Sequence, residues 1–381
     1  MQRKRVVTSE VRKINRNLIF QTLYEYPDQT KANLSHLLSL SLPTINQNLS
    51  ELSAEDLVKS NGHQKSTGGR KAIEYRVNSN ARYAIGLDIT ANHIATVILN
   101  LCGEMLYSRR TRKVFEPTQA YCKSIADHIE LLLTDLMIPV DHILGVGLAV
   151  PAIVSKDART LTYASLLNFT NGRLGDFEKA LPYPCRFVND ATAGGIAEAW
   201  YNPTIKKGQA EQTIAYLSLN NSVGGAFLIG GSIYEGQNQR ASEFGHITLH
   251  PGGRKCYCGQ LGCVDAYLGA KLLSDLSDGY LPAFFEGVEM KTKAPVQSFD
   301  RYVDDLVLTI NTLRMVYDCS VICGGYVGGY LTSHLPRIRQ ALSKVNTFES
   351  DGSYLFECAY KYEATAVGSA LTYLDEFIQS I

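Results

Sequence analysis

The sequence predicts an α/β protein in two parts, a winged helix-turn-helix over residues 1–78 and a two-lobed α/β body over residues 79–381. Three observations predict it. Short helical periods followed by a pair of strands fill the first eighty residues. Two strand-and-helix units of comparable size come after them, as a mixed α/β sheet protein requires. The two parts also differ in charge: of 37 Lys+Arg and 37 Asp+Glu, residues 1–80 carry 12 and 7, and the rest carry 25 and 30. A basic head on an acidic body means that a polyanionic partner would meet the head.

A chain of 381 residues exceeds one ordinary core. Hydrophobic residues are 45% and charged residues 19%, and no run approaches the ~20 apolar residues of a membrane span. The start, Met1-Gln2-Arg3-Lys4-Arg5, leads into Thr8-Ser9-Glu10 and not into an apolar stretch, so the expectation is a cytoplasmic chain without a membrane partner. Of nine cysteines, Cys102, Cys122, Cys185, Cys319, Cys323 and Cys358 sit in mostly apolar contexts and read as small buried hydrophobes.

In the head, Val11, Ile14 and Leu18 form a helical stripe that stops at Pro27-Asp28. Thr30 suits the N-cap of a second helix with Leu34, Leu37 and Leu38 on one face. Ser41 caps a third, with Pro43 in its first turn and Ile45, Leu49 and Leu52 facing inward. Its outer face is expected to carry Ser41, Thr44, Asn46, Gln47, Asn48 and Ser50. Amides pair with adenine edges and Thr touches the thymine methyl, so this face suits a DNA major groove; the same residues also suit plain solvent exposure. Strands at 56–59 and 73–77 flank a loop ending Gly68-Gly69-Arg70-Lys71. Arg70 and Lys71 suit a minor groove or phosphates, or a generic solvated hairpin.

In the body, residues 83–88, 93–99 and 104–109 read as strands, followed by a helix with Ile125, Ile129, Leu132 and Leu136 on one face and a buried strand at 143–150. The theme repeats with strands at 213–219 and 224–229, a helix at 303–317 and a strand at 320–325. Two such units imply two lobes with a cleft between them, suited to a small ligand.

His246, Cys256, Cys258 and Cys263 are spaced H-x9-C-x-C-x4-C. Three thiolates and one imidazole are the donors tetrahedral structural zinc prefers, and without a signal peptide such crowding favours a metal over disulfides. Gly259 and Gly262 let the backbone turn tightly around the ion. With four protein ligands no position stays open for hydrolysis; a redox-active thiol pair is the alternative.

These motifs resemble the repressor, ORF, kinase (ROK) family, in the branch with an N-terminal winged helix. The residues carrying the resemblance are Ser41-Leu42-Pro43-Thr44-Ile45, Ser66-Thr67-Gly68-Gly69-Arg70, Val188-Asn189-Asp190-Ala191, Glu243-Phe244-Gly245-His246 and Cys256-Tyr257-Cys258-Gly259-Gln260-Leu261-Gly262-Cys263. The resemblance implies a body of actin-like (ribonuclease H-like ATPase, sugar kinase) fold. Its first lobe would be residues 79–189 plus a C-terminal helix at about 366–381, and its second residues 190–365. It implies that Asn189, Asp190, Glu243 and His246 bind sugar, with Asp265, where Glu is usual, completing the pocket. Asn168 matches a sugar-contacting Asn loosely. The Asp matching Asp190 is the general base in family kinases; by its own sequence context Asn189-Asp190 also reads as a helix N-cap.

Family kinases carry an Asp-x-Gly-Gly-Thr phosphate loop; here it reads Asp88-Ile89-Thr90-Ala91-Asn92, with both glycines gone. The second loop, Leu219-Asn220-Asn221-Ser222-Val223-Gly224-Gly225, is half preserved. The expectation is a sugar-responsive repressor of carbohydrate-utilisation genes and not an enzyme. A homodimer or homotetramer would hold two heads on inverted-repeat operator DNA. An active sugar kinase with a DNA-binding head, and a body controlled by a protein partner, are the competing readings.

Overall fold

The structure is a computed structural model that describes residues 8–63, 72–169, 171–202 and 212–381. The head holds helices α1 (Thr8–Glu25), α2 (Lys31–Leu38) and α3 (Leu42–Ala54) and strands β1 (Gln29–Thr30), β2 (Val58–His63) and β3 (Ile73–Val77), which form an antiparallel sheet in the order β1-β3-β2. Both expected caps are made: Thr30 Oγ1 accepts from the Asn33 N–H at 3.2 Å and Ser41 Oγ from the Thr44 N–H at 3.3 Å. Arg70 and Lys71 lie outside the described residues.

Two expectations for the head are corrected. Val11, Ile14 and Leu18 are 41–54% exposed, and α1 instead buries Ile19, Phe20 and Leu23 against Leu34, Ile45, Leu49 and Leu52. Both stripes have helical spacing, so periodicity alone does not choose between them. Asn48 is buried and not on the outer face. It lies three residues after Ile45 and four before Leu52, on the inward stripe, where its amide donates to the Thr44 carbonyl at 2.8 Å.

The body contains two five-stranded sheets of matching design. In the first, β4 (Tyr83–Ile89), β5 (His93–Asn100) and β6 (Met105–Arg112) run antiparallel, and β7 (Ile143–Val150) and β8 (Cys185–Asn189) run parallel to β4. In the second, β9 (Thr213–Leu219) and β10 (Val223–Ile229) form a hairpin edged by β11 (Ser232–Ile233), while β12 (Ser320–Gly324) and β13 (Leu355–Phe356) lie parallel to β9. Strands β4 and β7 are buried on both faces. Ile85, Leu87 and Leu148 face α4 (Gln119–Asp135), and the opposite face meets the C-terminal helix.

Helix α5 (Asp190–Tyr201) follows β8 directly and packs against the second sheet; helix α6 (Lys293–Tyr317) fills that lobe's core with Phe299, Val303, Leu306 and Ile310. It starts ten residues before the expected 303, with Pro295 in its first turn. Helix α7 (Ala364–Ser380) lies on β4, β7 and α5. Its approach is backbone to backbone: a Cβ at Gly368 would overlap the Ala193 carbonyl, and one at Gly147 the Ser369 carbonyl. Replacing Gly368 by Ala is expected to cost at least about 2–3 kcal/mol of unfolding free energy in urea melts, because backbone cannot move aside as a side-chain tip can.

Among the described residues no helix is long and apolar enough to cross a membrane. The six scattered cysteines are unpaired; Cys122, Cys319 and Cys323 are buried and Cys102, Cys185 and Cys358 half-buried.

Candidate ligand cavity and metal centre

Parallel β8 ends at Asn189, and the chain turns straight into α5. Asn189 is the N-cap: its Oδ1 accepts from the Thr192 N–H at 2.9 Å, and its Nδ2 donates to the Ala152 carbonyl at 3.1 Å. The cap and the cavity wall are therefore the same residue. A cavity of about 250 Å³ opens between the lobes, lined by Asn189, Asp190, Glu243 and His246 among others. Four of the six residues expected to meet sugar thus converge.

The other two do not. Asp265 is absent from the cavity lining; its Oδ1 accepts from the Val223 N–H at 2.7 Å and its Oδ2 lies 3.9 Å from Cys256 Sγ. One methylene shorter than Glu, it stays on the backbone behind the wall. Asn168 is exposed, in the left-handed region at φ 50° after the turn Ser165–Leu167, and absent from the cavity lining, which Leu166 joins instead. Tyr257, Gln239 and Arg240 line the cavity without having been expected. Tyr257 had a signal, its place between two ligand cysteines. Gln239 and Arg240 stand three to four residues before Glu243, and that proximity was their signal.

The carboxylates repel one another and are desolvated by burial. Burial, then the charges of Asp88 and Glu243, push Asp190 up to about 7, although the Ala191 N–H at 2.9 Å opposes the shift. Burial likewise pushes Asp88 up to about 6 against the pull of Arg110, and raises Glu243. Such a group of acceptors, beside an amide and an imidazole, matches the pairs of hydroxyls on a polyol.

His246 ends the turn Phe244–His246, and Cys256, Cys258 and Cys263 lie on a loop folded back on it through the Leu249 N–H to Gly262 carbonyl bond at 2.8 Å. Gly262 has φ 85°, and a Cβ there would overlap the His250 carbonyl, so only glycine serves. One donor atom from each of the four residues lies within 4.8 Å of all the others, with His246 Nδ1 to Cys256 Sγ and Cys258 Sγ to Cys263 Sγ both 3.8 Å. A tetrahedron of bonds near 2.3 Å has edges of about 3.8 Å, so the set fits a metal of zinc's size. Nε2 of His246 is 3.2 Å from the Tyr257 hydroxyl, on the side of the cavity.

The two loops that would hold phosphate are tied up internally. Thr90 closes a tight turn, its N–H and Oγ1 both donating to the His93 carbonyl, at 2.9 and 3.0 Å. Asn220 Oδ1 accepts from the Tyr326 N–H at 2.9 Å, and Arg110 of β6 bonds the Tyr326 hydroxyl at 2.8 Å, bridging the lobes.

Three helices and a three-stranded sheet ahead of two linked five-stranded lobes, with a polar cavity and a Cys3His cluster beside it, define a class: two-part proteins with a small helical head on a body of actin-like fold. The chain belongs to the ROK family, whose profile matches residues 84–375. It is 27% identical over 265 residues to the xylose repressor of Caldicellulosiruptor bescii, a match covering 69% of this chain and 65%, less than two thirds, of that protein. A solved ROK family transcriptional regulator, a homologue of the E. coli MLC protein, superposes with a TM-score of 0.75 at 17% identity over 97% of each chain. A ROK family glucokinase from Streptomyces griseus, solved with glucose and AMPPNP, superposes at 0.62 with 22% identity, over 76% of this chain and 98% of its own. These structures share the fold.

Proposed function

We propose that the chain is a sugar-responsive transcriptional repressor of carbohydrate-utilisation genes, with residues 1–78 as the DNA-binding domain and residues 79–381 as the sugar-binding body. The observation that carries this reading is α5. Its first turn holds Asp190 in the cavity, and its last turn holds Trp200, whose indole meets the ring of Tyr24 in head helix α1 edge-on at 6.2 Å. One helix therefore touches both the sugar site and the head. A second tie is the Asn17 amide, which donates to the Ile378 carbonyl near the end of α7 at 2.9 Å.

Asn189, Asp190, Glu243 and His246 bind the sugar, and zinc on His246 Nδ1 and the three thiolates orders the segment that presents His246 Nε2. Ser41, the exposed N-cap of α3, faces operator DNA together with the exposed α3 residues Asn46 and Gln47 and half-buried Thr44. Homodimers or homotetramers place paired heads on an inverted repeat, and sugar favours a conformation that cannot span both half-sites.

The name of the relative makes a pentose the first ligand to try. The experiment is selection of bound duplexes from a random DNA pool, followed by gel shifts with xylose, glucose and N-acetylglucosamine. One sugar is expected to raise the thermal midpoint and weaken the shift at least about tenfold. A saccharide that binds tightly without changing the shift would remove the coupling. Tyr24→Ala is expected to leave sugar affinity within about twofold while reducing that effect on DNA, as measured by the same shifts.

The tied phosphate loops support a body without kinase activity: the Thr90 N–H is taken by the His93 carbonyl and the His93 N–H by Thr90 Oγ1, whereas phosphoryl transfer requires backbone free to hold phosphate. A coupled ATP-consumption assay over the same sugars is expected to show no turnover.

A further inference from the structure

Beside the sugar cavity lies a second recess of about 120 Å³, and the two share Asn189, Thr192, Gly225, Gln239 and Ala241 as common wall. Resting on the sugar reading of the cavity, we propose that the ligand is a disaccharide, its first ring in the cavity and its second entering this recess.

The recess is built for a polar ring. Phe227 and Tyr234 meet edge-on at 6.4 Å and 90°, with Phe227 buried and Tyr234 half exposed. An exposed aromatic face beside an apolar floor accepts the C–H face of a pyranose or furanose. Lys156 and Glu235 stand in the same wall and supply a donor and an acceptor for its hydroxyls.

Ser242 is the second, independent observation. It lines the recess and is 9% exposed, and its Oγ is buried without a hydrogen-bond partner. A buried hydroxyl without a partner is costly, so a rotation of the Ser242 side chain that turns its oxygen to a ligand hydroxyl in the recess would be favoured. Its backbone is also in the left-handed region, at φ 69°, which is uncommon for a residue other than glycine and concentrates at ligand sites. Next in sequence is Glu243, which lines the first cavity, so one short segment would read both rings.

The test is calorimetric titration of the full-length, zinc-replete protein with matched pairs: xylose and xylobiose, glucose and cellobiose, glucose and maltose. In one pair the disaccharide is expected to bind at least about tenfold more tightly than its monosaccharide. Tyr234→Ala and Ser242→Ala, each checked for folding by circular dichroism, are expected to erase that gain and leave monosaccharide affinity within about twofold. If monosaccharides bind and no disaccharide binds more tightly, or if both variants keep the gain, the second-ring site is wrong and the sugar reading stands. If no saccharide binds, both fall.

Discussion

Replacing Cys256 with Ala is expected to lower saccharide affinity by more than about 100-fold and to lower the thermal midpoint by roughly 5–10 °C. A metal held by the four residues would tie the segment from Phe244 to Cys263 at four points, adding to the His250–Asp305 pair, the bond from the Arg254 N–H to the Tyr267 hydroxyl and the backbone bonds of the loop. Losing one thiolate leaves an incomplete tetrahedron. His246 then no longer holds Nε2 toward the cavity. The measurements are metal content by mass spectrometry, expected at one zinc per chain, and differential scanning fluorimetry with and without a chelator. Purified protein lacking zinc, or a variant that binds sugar as well as the parent does, would remove the metal from the account. A redox thiol pair would instead give a disulfide-dependent mobility shift on non-reducing gels.

Asp190→Asn separates binding from stability, and the two effects are opposite in sign. Sugar binding is expected to fall at least about 100-fold, since a charge-assisted acceptor for hydroxyls is lost. The ligand-free protein is expected to become more stable at pH 8, by roughly 2–4 kcal/mol. Folding raises Asp190 from its ordinary 3.8 to about 7, so its stabilising contribution is complete below pH 4 and lost as pH rises through about 7. Asn remains neutral throughout and avoids that loss, while its carbonyl still accepts from the Ala191 N–H. Asp88, at about 6, and buried Glu198, at about 7, titrate in the same direction. The parent is therefore expected to gain stability from pH 8 to pH 5 in urea melts, with a shallower slope for the variant. Equal slopes would show that Asp190 does not carry the shift.

The locally encoded features were legible in the sequence. The caps at Thr30 and Ser41, the buried strands of both sheets and the clustering of His246, Cys256, Cys258 and Cys263 each depend on residues within about twenty positions of one another. Such features follow from hydrogen-bond chemistry, side-chain alternation and ligand softness, which act over a few bond lengths. The convergence of Asn189 and Asp190 with Glu243 and His246 was legible only through family resemblance, because no spacing rule joins positions some fifty residues apart.

The sequence by itself determined the helices of the head, the two α/β units and a His/Cys quartet close enough to hold a metal. Tertiary structure alone decided which stripe of α1 turns inward, since Ile19, Phe20 and Leu23 win over Val11, Ile14 and Leu18 only because α2 and α3 pack there. It alone decided that Asn48 and Asp265 are held by backbone partners and that Asn168 is exposed outside the cavity lining. It also decided that α5 runs from the cavity to Tyr24, a contact spanning 176 positions of chain. The physical reason is that periodicity specifies a face but not its partner, and a partner distant in sequence is chosen by the packing of the whole core.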